Sequence, residues 1–410
     1  MNGVGGYRQV RSFDVDSWKN ALILLAMCAC MVPAQAATKL PDRIVPTSGP
    51  TLSGVKILSA TIDTIKYNTK FWGGGRDRSM PAAQVKELGW GDSPAAFRVA
   101  LADYNRKNYG KALPRLEKLP ASAARDFWYV PYKNVLHGNC LLRLGKHAEA
   151  LPKFKVVVDK HSDSFYVLEA ILGKAKCHEA LQQYEEAGQA YAKLDPNGVY
   201  QDPDKNKPYG KLWQLRGRLG MAQSYAKVKA KRGAAAAVLS GLAKVTALLL
   251  ADTPKALVGA VDEIKSINQN ASVGKAQVLL GEGKVTEASD WIASIAHKVS
   301  DPSARVQLFM MLGDIAMKAA DGAADQEDKK LKYKQALLAY MRVYIVYSEA
   351  KEVRPRAMYL AGQAYERQGT AEARNAAARL YGELRKSFPD SEWAKKARTA
   401  LEALGRKADG

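Results

Sequence analysis

The stretch of this 410-residue chain that decides its fold is GNCLLRLGKHAEALPKF, residues 138–154. Two small residues in it, Gly138 and Ala150, lie twelve positions apart, and Gly145 lies between them. A large ring, Phe154, follows Ala150 by four positions, which is about one turn of a helix. This order predicts two antiparallel helices joined at Gly145, with the small residues where the helices approach most closely.

The same spacing of small residues occurs four times, as Ala100 with Ala112, Gly138 with Ala150, Ala175 with Ala187, and Ala276 with Ala288. The position three before each second alanine holds Tyr109, His147, Tyr184 or Val285, and the position four after it holds Leu116, Phe154, Tyr191 or Ile292. Two longer and less regular units surround Gly313 with Ala336 and Ala361 with Ala377. A helix pair cannot bury its own apolar face, so its repetition predicts a stack of pairs.

This pattern resembles the tetratricopeptide repeat (TPR), and the resemblance covers residues 93–406. It implies an all-α fold, a TPR-like α-solenoid of antiparallel helix pairs whose first helices line a concave surface. The phrase FPDSEWA, residues 388–394, combines a helix stop, a proline, an N-cap and a restart. It is similar to the junctions between repeats in envelope-associated TPR proteins, such as the outer-membrane assembly lipoproteins and the Tol-Pal division coordinators.

The segment before the repeats has a different pattern. Apolar, mostly β-branched residues alternate through it at Val55, Ile57, Ile62, Ile65 and Tyr67, which predicts a small β unit that caps the first repeat. We expect a signal peptide at 1–36, a linker at 37–50, the small β unit at 51–92, an N-terminal TPR array at 93–199, a middle helical region at 207–300 and a C-terminal TPR-like region at 301–406.

The N-terminus has the order of a secretory signal. Basic Arg8, Arg11 and Lys19 precede an apolar stretch at 21–32 and an Ala-x-Ala site that ends at Ala36. An uncleaved anchor is an alternative, and so is a lipoprotein attached through Cys30. We therefore expect an exported protein, periplasmic or associated with the outer envelope. The apolar run 234–250 is interrupted by a lysine and rich in alanine, which favours a buried solenoid helix over a membrane span.

The chain is strongly basic, with 62 Lys and Arg against 41 Asp and Glu. Such a surface attracts anions: envelope glycolipid or polymer, acidic proteins, or nucleic acid. A solvated basic surface with no specific anionic ligand is the alternative. The signal argues against a cytoplasmic, nucleic-acid-associated repeat protein, so no nucleic-acid partner is expected.

Motifs for catalysis are absent from the sequence. It contains no G-x-x-x-x-G-K-[ST] phosphate loop, no H-E-x-x-H zinc helix and no G-x-S-x-G elbow, so we expect neither an enzyme nor a cofactor. Cys140 and Cys177 hold the same place in successive repeats, near four of the five histidines. Buried free thiols, a Cys140–Cys177 disulfide and a metal site stay open as alternatives, although the spacing matches no zinc motif.

The TPR resemblance also locates a candidate partner groove on the first helices. Its residues are Phe97, Tyr104, Asn105, Tyr132, Asn139, Arg143 and Lys176. Rings supply contact area, amides bond a peptide backbone and cations bind acidic groups, so this set suits an extended acidic peptide. Ordinary helix packing is an equal alternative for Phe97. The sequence thus favours a non-catalytic protein scaffold. A structural protein that docks to anionic envelope polymer is the alternative, and its binding would collapse with salt.

We predict that the exported, mature chain begins at Ala37, because the basic, apolar and small-residue segments of 8–36 follow one another in the order of a cleaved signal. N-terminal sequencing of protein recovered from the envelope measures this. An intact Met1 on exported protein would contradict it.

Overall fold

The computed structural model describes residues 40–122, 126–194 and 208–405. The predicted signal peptide and its cleavage site lie outside the described residues. Within these ranges the fold is an α-solenoid of fifteen helices with a small antiparallel sheet on its N-terminal side. The helices are α1 Ala95–Asn105, α2 Tyr109–Glu117, α3 Asp126–Arg143, α4 His147–Lys160, α5 Val167–Ala180, α6 Tyr184–Ala192, α7 Pro208–Lys227, α8 Arg232–Ala251, α9 Val261–Gly281, α10 Val285–Ile295, α11 Pro302–Asp321, α12 Gln326–Val346, α13 Arg354–Glu366, α14 Ala371–Ser387 and α15 Glu392–Ala403.

The odd-numbered helices from α1 to α13 are the first members of seven pairs, and α15 closes the stack. All the paired alanines of the repeat pattern are fully buried. The ring of Phe154, on α4, lies where a side chain on Gly138 or Gly173 would stand: a Cβ there would be 2.8 or 2.4 Å from the ring. One second helix therefore packs against its own first helix and against the next one, which confirms the predicted stack.

The C-terminal pairs use the same contact with longer intervals. Tyr340 covers Gly313, and Tyr381 covers Gly362, so the aromatic follows its glycine by 27 and 19 residues rather than 16. The N-cap predicted in FPDSEWA is confirmed, because Ser391 Oγ accepts a hydrogen bond from the Ala394 amide at 3.1 Å.

The turns inside the four pairs with the twelve-residue spacing share one backbone conformation. Gly145 and Gly283 have φ of 77° and 81°, and the matching positions of the first and third pairs, Lys107 and Gln182, have φ of 62° and 59°. Glycine is therefore preferred at this turn but is not required, since Lys107 and Gln182 adopt the same left-handed conformation.

The sheet has the order β4-β3-β2-β1-β5, with every neighbouring pair antiparallel. Its strands are β1 Asp42–Pro46, β2 Leu52–Ala60, β3 Thr64–Asn68, β4 Asp77–Pro81 and β5 Val85–Gly89. The prediction that residues 37–50 form a linker is therefore wrong for Asp42–Pro46. These residues form β1, which lies between β2 and β5 in the sheet. Its buried Asp42 carboxylate accepts hydrogen bonds from the amides of Ile57 and Gly91, both at 2.8 Å, a tertiary interaction with no local sequence signal.

A tryptophan after β5 joins the sheet to the helices. Trp90 stacks on Trp128 of α3 with ring centroids 4.8 Å apart, and its indole N–H donates to the Tyr166 hydroxyl at 2.8 Å. At the β2–β3 turn, the Ile62 amide donates to the Asp163 carbonyl at 2.7 Å. The sheet thus packs along the second and third pairs. This differs from the expected cap on the first pair, because Trp90 and Ile62 find their partners on α3 and on the α4–α5 turn.

Helix α8 contains the apolar run of 234–250. It packs against α7 and α9 through Ala235, Leu239 and Leu242, while Leu248 on the opposite face is 72% exposed. Among the described residues, Lys229–Ala251 is the single helical segment long and apolar enough to cross a membrane. Length and composition alone do not distinguish a buried solenoid helix from a membrane-spanning helix. The predicted burial of this run is found on one face of α8.

We predict that Gly138→Leu lowers the free energy of unfolding by about 1–3 kcal/mol or prevents folding, because the new side chain would collide with the Phe154 ring. Thermal unfolding followed by circular dichroism measures the effect. Gly241→Leu is the matched control: it lies within α8, and a Cβ there meets nothing within 4 Å. An equal loss of stability in both variants would contradict the packing assigned to Gly138.

Candidate binding surface

Six consecutive first helices meet around one cavity of about 620 Å³. Each of them contributes to its wall, with Leu142 from α3, Lys176 from α5, Gln223 from α7, Leu280 from α9, Met311 from α11 and Arg356 from α13. The curvature of the solenoid therefore brings residues more than 200 positions apart to the same concave surface. A cleft of this size, with an apolar wall and a few charged groups, is typical of a ligand or peptide site.

Three acidic residues, Glu179, Asp314 and Glu352, line this cavity, and the first two are hydrogen-bonded within the protein. Glu179 accepts hydrogen bonds from the hydroxyls of Tyr191, at 2.7 Å, and Ser224, at 3.2 Å. Asp314 accepts one from the Tyr340 hydroxyl at 2.7 Å and pairs with Arg356 at 3.1 Å. These contacts fix the positions of both carboxylates, and Glu179 acts as a nearby negative charge on both Lys176 and Lys227.

Two lysines of the cavity, Lys176 and Lys227, form no ion pair within the described residues. Surrounding protein removes water from both amines, and this desolvation lowers the pKa of each below its usual value. The second cause is positive charge: Arg143 acts on the pKa of Lys176, and Arg356 acts on the pKa of Lys227. Glu179 acts in the opposite direction on the pKa of both amines. Three cations thus line the cavity, and an added anion would relieve the repulsion that Lys176 and Lys227 experience from Arg143 and Arg356.

The structure separates the predicted groove residues into different environments. Phe97 is fully buried, with its ring against Trp128, Tyr129 and Tyr132, so it belongs to the core, the alternative that the sequence left open. Tyr132 stacks on Tyr166 with centroids 4.5 Å apart, under the end of the sheet. Burial raises its hydroxyl pKa well above the usual value.

The other predicted residues extend from the first pair toward the cavity. Tyr104 is half-buried, and desolvation raises its pKa to about 12. The Asn139 amide donates to Glu169 Oε1 at 2.8 Å, a carboxylate that sequence reasoning did not select. Asn105 and Arg143 are exposed at the ends of α1 and α3. Of the predicted set, Lys176 lines the cavity directly, and Arg143 influences it electrostatically.

A smaller cavity, of about 340 Å³, lies where the sheet meets α5 and α7. Three of its four charged groups are already engaged: the Arg216 guanidinium donates to Glu263 Oε2 at 2.8 Å, and Glu169 accepts a hydrogen bond from Asn139. This makes it a weaker candidate than the larger cavity.

The cysteines are free and buried. Burial raises the pKa of Cys140 to about 12 and of Cys177 to about 11, so both thiols stay protonated and unreactive near neutral pH. The structure therefore does not form the disulfide considered from the sequence, and it contains the buried thiols of the first alternative. Burial also lowers the pKa of His137 to about 4, which keeps this imidazole neutral. No group of metal-ligating residues converges within the described ranges.

Two cations of the cavity, Lys227 and Arg356, were outside the sequence prediction. They lie on α7 and α13, in regions where the repeat spacing is irregular, and 129 positions separate them. The sequence could have indicated both residues, because both lie on first helices and the first helices face the concave surface.

Comparison with known proteins supports the repeat assignment. Residues 356–391, spanning α13, α14 and the N-cap of α15, match the family model "Tetratricopeptide repeat". This segment is a tetratricopeptide repeat. Such a repeat indicates a protein-interaction scaffold. The match falls on one of the units that the sequence pattern marked as irregular, around Ala361 and Ala377.

Among solved structures, a tetratricopeptide repeat protein from Parabacteroides merdae is 14% identical, with 65% of this chain and 97% of that chain covered and a TM-score of 0.36. The C-terminal part of a TPR repeat-containing protein from Cytophaga hutchinsonii is 13% identical, with 73% and 98% covered and a TM-score of 0.38. The APC/C hetero-tetramer Cut9–Hcn1 is 12% identical, with 75% and 83% covered and a TM-score of 0.24. None of the curated proteins matches the chain.

We predict that Cys140 and Cys177 titrate as two free thiols in unreduced, mature protein. Both should resist a thiol reagent such as DTNB while the protein is folded, because they are buried and protonated, and both should react after denaturation. Reagent uptake before and after addition of denaturant measures this. Absence of reactive thiols in the denatured, unreduced chain would instead establish the disulfide.

Proposed function

We propose that this chain is an exported, non-catalytic scaffold of the bacterial cell envelope, and that its concave cavity binds acidic segments of partner proteins. The observation that carries the proposal is a pair of lysines, Lys176 and Lys227, that form no ion pair within the described residues and lie in a cavity lined by six first helices. A binding role also agrees with the tetratricopeptide repeat at 356–391. The sequence of 1–36, with basic, apolar and small residues in succession as in a secretory signal, supports export.

The two lysines favour an acidic partner, because a bound carboxylate would offset the desolvation and the repulsion that their charged amines experience. In the free protein, Lys176 and Lys227 are partly desolvated and repelled by Arg143 and Arg356. A carboxylate placed between them would form charge-assisted hydrogen bonds and remove the repulsion. The preorganised cations then contribute to affinity without a change in the helices.

The shape of the surface argues for an extended segment. A second cavity, of about 760 Å³, lies between the start of α11 and the α12–α13 loop, and it shares Val306, Gln307, Glu352 and Val353 with the first. The apolar side chains Met310 and Met311 lie beside the charged wall of the first cavity. A chain with alternating acidic and apolar side chains could therefore contact both cavities at once.

We predict that replacing both lysines (Lys176→Gln and Lys227→Gln) weakens binding of an acidic, Glu-rich peptide about tenfold or more, since two charge-assisted contacts are lost. Fluorescence anisotropy with the labelled peptide measures this at fixed salt. The melting temperature should be unchanged or higher, because both amines are disfavoured in their charged form.

The matched control for this experiment is Lys111→Gln with Lys155→Gln, which removes two exposed charges from the second helices α2 and α4. Recovery of partners from envelope fractions, compared between the two double variants, extends the test to natural ligands. Equal binding by the two double variants would contradict the assignment of the site to the cavity.

A further inference from the structure

The loop between β3 and β4 presents the most exposed large apolar side chain of the described residues. Trp72, in the sequence Phe71-Trp72-Gly73-Gly74-Gly75, is 77% accessible to solvent. A tryptophan buries a large area when it finds a partner, so an exposed one on a folded surface usually marks an interaction site.

The loop is built to hold this ring outward. The Thr69 hydroxyl accepts from the Arg76 amide, and Asn68 Oδ1 accepts from the Lys70 amide, both at 2.9 Å. Gly73 and Gly74 have φ of 99° and 71°, conformations that other residues rarely adopt. The Trp72 ring therefore extends from a tight, hydrogen-bonded turn and loses little freedom on binding.

The loop also points away from the solenoid. The β2–β3 turn, at the opposite end of β3, is the end that bonds to the α4–α5 turn through Ile62 and Asp163. At about 3.3 Å per residue, the length of β3 places the Trp72 loop roughly 15 Å from that attachment. A flat surface could thus meet the loop without first contacting the docked end of the sheet.

Three cations lie in the same loop or at the start of β4. Lys70, Arg76 and Arg78 are exposed, and their side chains form no ion pair within the described part of the chain. The acidic residue among them, Asp77, accepts a hydrogen bond from the Asn68 amide at 2.8 Å. The loop therefore combines an apolar wedge with a local excess of positive charge.

We propose that the β3–β4 loop docks the protein to an anionic lipid bilayer, with Trp72 in the headgroup region and the three cations on lipid phosphates. Tryptophan with flanking Lys and Arg suits this interface, where an amphipathic ring is partly apolar and partly wet. A sugar polymer fits less well, because the neutral polar groups that would bind hydroxyls, on Asn68 and Thr69, are used to build the loop. This docking is separate from the cavity and does not depend on the proposed peptide site.

Flotation of the mature chain, from Ala37 onward and so without the apolar stretch 21–32, with vesicles tests the proposal. The wild type should bind vesicles of phosphatidylglycerol mixed with phosphatidylcholine and should not bind phosphatidylcholine alone. Trp72→Ala should weaken binding about tenfold or more, and so should the triple variant Lys70→Gln, Arg76→Gln and Arg78→Gln. Circular dichroism confirms that each variant is folded, which we expect because the replaced side chains are exposed.

Two controls distinguish binding through this loop from nonspecific binding through any exposed apolar side chain or through overall positive charge. Leu338→Ala removes another exposed apolar side chain, and Lys111→Gln with Lys118→Gln and Lys155→Gln removes three exposed charges elsewhere. Both controls should bind vesicles as the wild type does. Absence of wild-type binding, or equal losses in the loop variants and the controls, would overturn the proposal. Loss of binding to an acidic polysaccharide with unchanged vesicle binding in Trp72→Ala would assign the loop to a glycan instead.

Discussion

The contact of an aromatic ring with a glycine on a facing helix is the constraint on which the solenoid depends. Phe154 lies against Gly138 of its own pair and Gly173 of the next, so one side chain sets two helix separations. Tyr191 lies against Gly220, Tyr340 against Gly313 and Tyr381 against Gly362 in the same way. Because interiors pack without voids, Phe154 and Tyr191 fix how one pair sits on the next, whereas Tyr340 and Tyr381 fix the separation of the two helices within a pair.

The same aromatic residues shape the electrostatics of the concave surface. The hydroxyl of Tyr191 donates to Glu179 and that of Tyr340 to Asp314, so the rings that space the helices also engage two carboxylates of the cavity. A hydrogen-bonded carboxylate is less available to a nearby lysine. Packing and charge are therefore linked, since the tyrosines that complete the core also hold two carboxylates of the cavity in place.

The sheet decides which part of the concave surface is open. Trp90 bonds to Tyr166, and Tyr132 stacks on Tyr166, so the sheet covers the aromatic end of the groove near the second and third pairs. The open region lies further along, between α5, α7, α11 and α13. The aromatic residues of the first helices therefore lie where the sheet attaches, whereas Lys176, Lys227 and Arg356 lie in the accessible cavity.

The sequence alone determined the helix pairs, their stacking and the β segment before them, because small residues at a spacing of twelve and alternating apolar residues are local patterns. It also identified Lys176 as a residue of the concave surface. It missed β1, since the Asp42 carboxylate is satisfied by amides 15 and 49 positions away. Only the tertiary structure brought Lys227 beside Arg356 and placed Phe97 in the core. The reason is that curvature and burial depend on the sum of many packing contacts, and no single segment of the chain contains that sum.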